Sequence, residues 1–167
     1  MRQCYQAVRQ YKLRAQAGQF PVTLSSPGHV VYSAHDYGPL EFQQTWFNSS
    51  TTSASLDAIW NANWGYLYAQ RTAPVWVGEF GTTSWTAPGV PERIVPDSDQ
   101  NRWFIGLVEY LKQRGFSWSY WALNGTVSDG GFSAPKRKRG TYEGYGLLDP
   151  NWSQPNSSLL TQLKQIQ

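Results

Sequence analysis

Glu79 ends the apolar run Val75-Trp76-Val77-Gly78-Glu79-Phe80 with a carboxylate flanked by Gly78 and Gly81. Missing side chains at such a place let a backbone or a ligand approach closely. A second short run, His29 to His35, ends in His35, Asp36 and Tyr37. A carboxylate can attack an oxocarbenium-like carbon, His and Tyr can hydrogen-bond, and an indole face suits the C–H face of a sugar ring. Nine Trp in 167 residues, with aromatics at 16%, make a glycan an apt partner for this group. Composition argues for it only weakly, because most Trp are core residues. Asp36 is tempting as a second acid, but side chains alternate faces along a strand, so it is expected to point away from the partners of Glu79.

The elements that must hold these residues alternate. Residues 2–16 place Cys4, Tyr5, Val8, Tyr11 and Leu13 near helical spacing, stopped by Gly18 and Pro21. His29 to His35 reads as a buried strand between Pro27-Gly28 and Gly38-Pro39. Ser55 to Arg71 reads as a helix behind a Ser cap, with Leu56, Ile59, Trp60, Trp64, Leu67 and Tyr68 on its apolar face. Val75 to Phe80 is the second strand. Asp97 or Asp99 can cap a helix through Trp103, Phe104, Leu107, Val108 and Leu111 that Gly115 stops. Phe116 to Trp121 is the third strand, a long loop spans 124–146, and a short helix follows Pro155. Strand and helix in this alternation mean parallel crossover units, with chemistry at the C-terminal strand ends, where His35 to Tyr37, Glu79 and Trp121 lie. Trp60, Trp64, Trp76, Trp103 and Trp118 are expected in the core.

Composition excludes several other uses. No stretch approaches the roughly 18 apolar residues of a membrane span. Charged residues are 15% of the chain and the formal charge is +3. Arg2, Arg9, Lys12 and Arg14, with the run Lys136-Arg137-Lys138-Arg139, hold eight of the 14 bases, leaving six against all 11 acids. The body is therefore acidic, which argues against a nucleic-acid partner, and the 136–139 run reads as a solvated loop face. The single Cys4 excludes an internal disulfide, and two histidines are too few for a His-rich metal site. The first residues carry bases without an apolar stretch or a small-residue cleavage site, so no secretory signal is expected there.

Five segments, VVYSAHDYGP (30–39), QTWF (44–47), PVWVGEFGT (74–82), FSWSYWALNG (116–125) and YGLLDPNW (145–152), resemble glycoside hydrolase family 5, the bacterial endo-β-1,4-glucanases in particular. The resemblance runs from about Ala17 to the C-terminus in order and spacing. It implies an α/β fold, part of an eight-stranded β/α (TIM) barrel, with about three parallel strands matching the sixth to eighth. Residues 1–16 have no family counterpart and 17–167 form the C-terminal part of the barrel domain. The resemblance further implies Glu79 as nucleophile in retaining chemistry, Tyr37 hydrogen-bonding it, and His35 lining the cleavage subsite. Trp121 then stacks under the sugar, Trp46 is a platform on the leaving-group side, and Asn124 contacts sugar hydroxyls. It implies a β-glucan substrate, no cofactor or metal, and extracellular location.

One part of that pattern is missing. The family's acid/base Glu stands in an Asn-Glu pair, and this chain has none; an Arg of the family's second strand also lacks a counterpart. Glu143, Asp129 or a carboxylate from another subunit are the candidates for the second acid. Three strands cannot close a barrel that usually takes about 250 residues, so a homo-oligomer or a complementary barrel fragment is the expected partner. The alternatives to a hydrolase are a non-catalytic β-glucan-binding fragment and a truncated, inactive barrel piece.

Overall fold

A computed structural model describes residues 16–41, 44–83, 98–127, 141–142 and 144–167. The elements in chain order are α1 (Gln16–Gln19), β1 (Tyr32–His35), α2 (Ser53–Trp60), a π-helical turn (Asn61–Gly65) running into α3 (Tyr66–Ala69), β2 (Val75–Phe80), α4 (Asp99–Arg114), β3 (Ser117–Tyr120), β4 (Thr126–Val127), β5 (Thr141–Tyr142) and α5 (Ser157–Leu163). Of the helix expected over residues 2–16, residues 2–15 lie outside the described residues.

The sheet runs β1-β2-β3, all parallel, with each crossover made by helix. Tyr32 pairs with Val75 and Ala34 with Val77, and then the register shifts so that His35 stands opposite Glu79. Trp76 pairs with Ser117, and a second irregularity brings Phe80 opposite Tyr120. Both shifts fall just below the C-terminal ends of the strands, where bulges re-aim side chains. The observed strands are shorter than the apolar runs: pairing begins at the Tyr32 N–H, 3.0 Å from the Pro74 carbonyl, and Val31 is 60% exposed.

α2 starts at a capping box, with Thr52 accepting from the Ser55 N–H and the Ser55 hydroxyl accepting from the Thr52 N–H. The cap is thus Thr52, three residues ahead of the expected Ser. At the π turn, Gly65 has no side chain where the Tyr110 hydroxyl sits, and that hydroxyl donates to Asn61 Oδ1 at 2.8 Å, which ties the turn to α4. α4 is capped by Ser98, between the two expected aspartates, and ends at Gly115 with φ +63°, the left-handed conformation glycine takes freely.

One core lies between the sheet and the helices. Leu56, Trp60, Trp64 and Leu67 face Trp103, Phe104, Leu107, Val108, Tyr110 and Leu111, with Val75, Val77 and Phe80 from the sheet and Leu159 and Leu163 from α5. Burying each of these large side chains stabilises by roughly 1.5–3 kcal/mol. Trp60, Trp64 and Trp103 are core residues as expected, and Trp118 is half-buried. Trp76 departs from expectation: it is 39% exposed because β2 alternates, with Val75 and Val77 toward the helices and Trp76 toward the other face. Among the described residues that face has no covering layer, and β1 and β3 are edge strands.

Candidate active site

The C-terminal strand ends gather Glu79, His35 and Tyr37 around one oxygen. Glu79 is the penultimate residue of β2, His35 ends β1, and the β1/β2 register puts them side by side. Tyr37 donates its hydroxyl to Glu79 Oε2 at 3.1 Å, and His35 Nδ1 stands 3.3 Å from the same oxygen. All three are half-buried. Burial first, and the Glu79 charge second, push the Tyr37 hydroxyl far above the ordinary tyrosine range, so it remains a donor at any working pH. Both side chains thus approach the same oxygen of Glu79, Oε2.

Glycines permit this crowding. A methyl on Gly78 would collide with Ser33 Oγ and stand 3.2 Å from His35 Nε2. A methyl on Gly81 would collide with the Trp121 carbonyl oxygen and stand 2.9 Å from the Tyr145 ring. The close backbone approach expected at both positions is found at Gly81, whereas at Gly78 the crowding is by side chains.

The loops above the strands are pinned from behind by α4. Gln100, buried in its first turn, accepts the Leu40 N–H at 3.1 Å and donates to Thr82 Oγ1 at 3.2 Å. One side chain so ties the loop after β1 to the loop after β2. The Thr82 carbonyl also accepts from the Tyr120 hydroxyl at 3.1 Å, fastening β3 to the same loop.

Trp121 follows β3 and is 48% exposed, its N–H bonded to the Phe80 carbonyl at 2.8 Å. Residues 145–148 run alongside it through Ala122 to Tyr145, Leu147 to Ala122 and Leu148 to Leu123 backbone bonds. Asn124 donates to the Thr126 carbonyl at 3.0 Å and so serves its own turn. Trp46 lies on a loop that Arg102 fastens to α4 through the Thr51 and Asn48 carbonyls. Its ring tilts against Phe47 at 5.8 Å and packs against the edge of the core. Asp36 faces the helices, as alternation predicts, and Trp64 donates to its carboxylate at 3.0 Å. Glu143 and Asp129 lie outside the described residues.

Two residues at the rim were not singled out from the sequence. Tyr145 meets Tyr37 edge to face at 6.0 Å and donates to Glu41 Oε2 at 3.4 Å. Tyr145 stood in a quoted motif and Glu41 four residues after Tyr37, but nothing local links positions 104 apart. Among the described residues no three His, Cys, Asp or Glu side chains cluster as metal ligands.

The sequence profile of cellulases of glycosyl hydrolase family 5 matches residues 8–127. The chain belongs to this family. It is 38% identical over 112 residues to an endoglucanase of Paenibacillus polymyxa, covering 67% of this chain and 26% of the relative. It is 25% identical over 138 residues to the major extracellular endoglucanase of Xanthomonas campestris, covering 82% of this chain and 23% of that one. Among solved structures, the hyperthermophilic endocellulase of Pyrococcus horikoshii superposes with a TM-score of 0.67 at 24% identity, over 90% of this chain and 34% of that chain. The chain thus spans about a quarter of these relatives' length and a third of the solved barrel. Its three parallel strands and their helices are a partial TIM barrel of the cellulase type.

Proposed function

We propose that the chain carries the nucleophile half of a retaining β-1,4-glucanase site, with Glu79 as the attacking carboxylate. The observation that carries this reading is the convergence of Tyr37 and His35 on Oε2 of a carboxylate at a C-terminal strand end. Glu79 attacks the anomeric carbon, the glycosidic C–O bond breaks, and a glycosyl ester forms. Tyr37 and His35 hold the carboxylate in line and stabilise the charge that returns to it when water cleaves the ester. The leaving oxygen must take a proton from a second carboxylate about 5–5.5 Å away. We place that group on a strand supplied by another copy or a complementary barrel fragment; Glu143 and Asp129 are the candidates within the chain. Trp121 stacks under the sugar at the cleavage point, Trp46 carries the leaving-group side, and Asn124 contacts hydroxyls. The Paenibacillus and Xanthomonas endoglucanases support a β-glucan substrate, and the latter's name supports an extracellular setting.

A second reading, β-glucan binding without cleavage, is favoured by the missing Asn-Glu pair, since a nucleophile without a proton donor leaves the leaving group unprotonated. The experiment that separates them is hydrolysis of a soluble β-1,4-glucan by the chain and by Glu79→Gln, each taken from a defined size-exclusion peak. Turnover lost in the variant supports the hydrolase. No turnover in either, with cellotetraose still bound, supports the binding fragment.

A further inference from the structure

His35 and Tyr37 reach Glu79 only because the residue between them turns the other way. Asp36 is buried, and its Oδ2 accepts the Trp64 indole N–H at 3.0 Å. The indoles of Trp60 and Trp103 act in the same direction, favouring the charged carboxylate against its burial. These tryptophans come from separate stretches behind the sheet: Trp60 ends α2, Trp64 sits in the π turn, and Trp103 lies near the start of α4. Tyr110, also on α4, feels the Asp36 charge through its own hydroxyl. The groups acting on the carboxylate among the described residues are neutral indoles, with no cation among them.

A carboxylate buried without a cation is costly, and an apolar side chain would fill the same volume more cheaply. Its location suggests what the cost secures. The β1/β2 ladder is irregular at this step, since Ala34 pairs with Val77 but His35 with Glu79, and the next bond is the Asp36 N–H to the Glu79 carbonyl at 3.0 Å. Alternation still sets Asp36 opposite to His35 and Tyr37, but where pairing is interrupted the ladder alone no longer holds that aim. A side chain anchored behind the sheet does.

We propose that Asp36 is a positioning residue for the Glu79 site: the Trp64 indole N–H behind the sheet holds its carboxylate, and this fixes the strand end so that His35 and Tyr37 both face Glu79. The proposal rests on reading Glu79 as the reacting carboxylate. Asp36 touches no reacting atom; it acts through its two neighbours. What it needs is an acceptor for Trp64, which Asn supplies and Leu does not.

The test is NMR of the His35 and Tyr37 rings in the intact chain and its native assembly. Glu79→Gln shifts both sets of ring resonances in the wild type, because both side chains touch Glu79. In Asp36→Leu the same Glu79→Gln change leaves the rings unmoved, while in Asp36→Asn they still respond. Trp64→Phe, which removes the donor and keeps the carboxylate, decouples the rings as Asp36→Leu does, and it decides the matter if Asp36→Leu does not fold. On a soluble glucan, Asp36→Leu lowers kcat by about 10²-fold, the loss a misplacement near 1 Å brings. KM stays close to wild type, and Asp36→Asn recovers most of the rate. The NMR readout does not depend on turnover, so a decoupled pair in an inactive chain refutes the hydrolase and leaves the positioning role standing. Rings that still respond to Glu79→Gln in both Asp36→Leu and Trp64→Phe overturn it, as does a wild type without the response.

Discussion

Gly81→Ala places one methyl where the end of β3 crosses the end of β2. The added Cβ would overlap the Trp121 carbonyl oxygen and lie 2.9 Å from Tyr145 Cδ1. The carbonyl cannot swing aside easily, because the Trp121 N–H is bonded to the Phe80 carbonyl at 2.8 Å and the next residue is bonded to both Tyr145 and Leu147. An extra methyl in a filled interior costs about 1–3 kcal/mol, and an immovable backbone obstacle puts this one near the upper end. The same shift must displace Trp121 and Tyr145, and Tyr145 packs edge to face on Tyr37. Gly115→Ala is the control: its φ of +63° with open space around it makes the cost purely conformational, about 1–2 kcal/mol. Urea unfolding followed by far-UV circular dichroism reads stability, and tryptophan fluorescence on titration with cellotetraose reads sugar binding. Gly81→Ala is expected to lower both stability and cellotetraose binding, and Gly115→Ala stability alone. A Gly81→Ala variant within about 0.5 kcal/mol of wild type, with binding intact, would refute the argument that this glycine is required by the approach of the two strands.

Three further outcomes follow from single contacts. Burial, opposed by the indole donors, raises the Asp36 carboxyl from 3.8 to about 6, so the native state holds this proton more tightly than the unfolded chain. Its contribution is therefore fully present below pH 3.8 and lost as pH rises through 6, a change of about 3 kcal/mol, and it should vanish from the pH dependence of urea unfolding in Asp36→Asn. Tyr37→Phe removes a hydrogen bond to a charged acceptor, worth about 1.5–3 kcal/mol of stability; the unfolding midpoint should fall accordingly, and the kcat/KM of an active assembly by roughly 10- to 100-fold. Ser98→Ala removes the side-chain acceptor for the Asn101 N–H at the start of α4, and the denaturation midpoint should report a loss of about 1 kcal/mol.

The sequence made the strands legible because each is an apolar run punctuated by glycine or proline, and Glu79, His35 and Tyr37 legible because they sit at the ends of those runs. The ends themselves were less so. Asp97, Ser98 and Asp99 are all capping types in a row, and only the packed helix selects Ser98. Regular helical spacing gave no sign of the π turn, which is tied to Tyr110, a residue on another helix that fills the space at Gly65. Trp76 looked like core since apolar type does not say which face of a three-stranded sheet is covered. Tyr145 and Glu41 needed the fold to bring them together. For Trp46, the family resemblance implies a platform, while its ring packs against Phe47 and the core, and binding measurements on Trp46→Ala decide between them.

The Glu79 group is a product of one strand pairing. Its two partners come from β1, its register from the β1/β2 shift, and its support from side chains behind the sheet: Trp64 under Asp36, and Gln100 under both loops. Trp64 and Gln100 act from the helix side, whereas Glu79, His35 and Tyr37 lie on the side away from the helices, where Trp76 is exposed. On the function proposed above, a partner that covers this side meets the Glu79 carboxylate directly, so bringing a proton donor and keeping the aim of Tyr37 and His35 are one demand on the structure and not two.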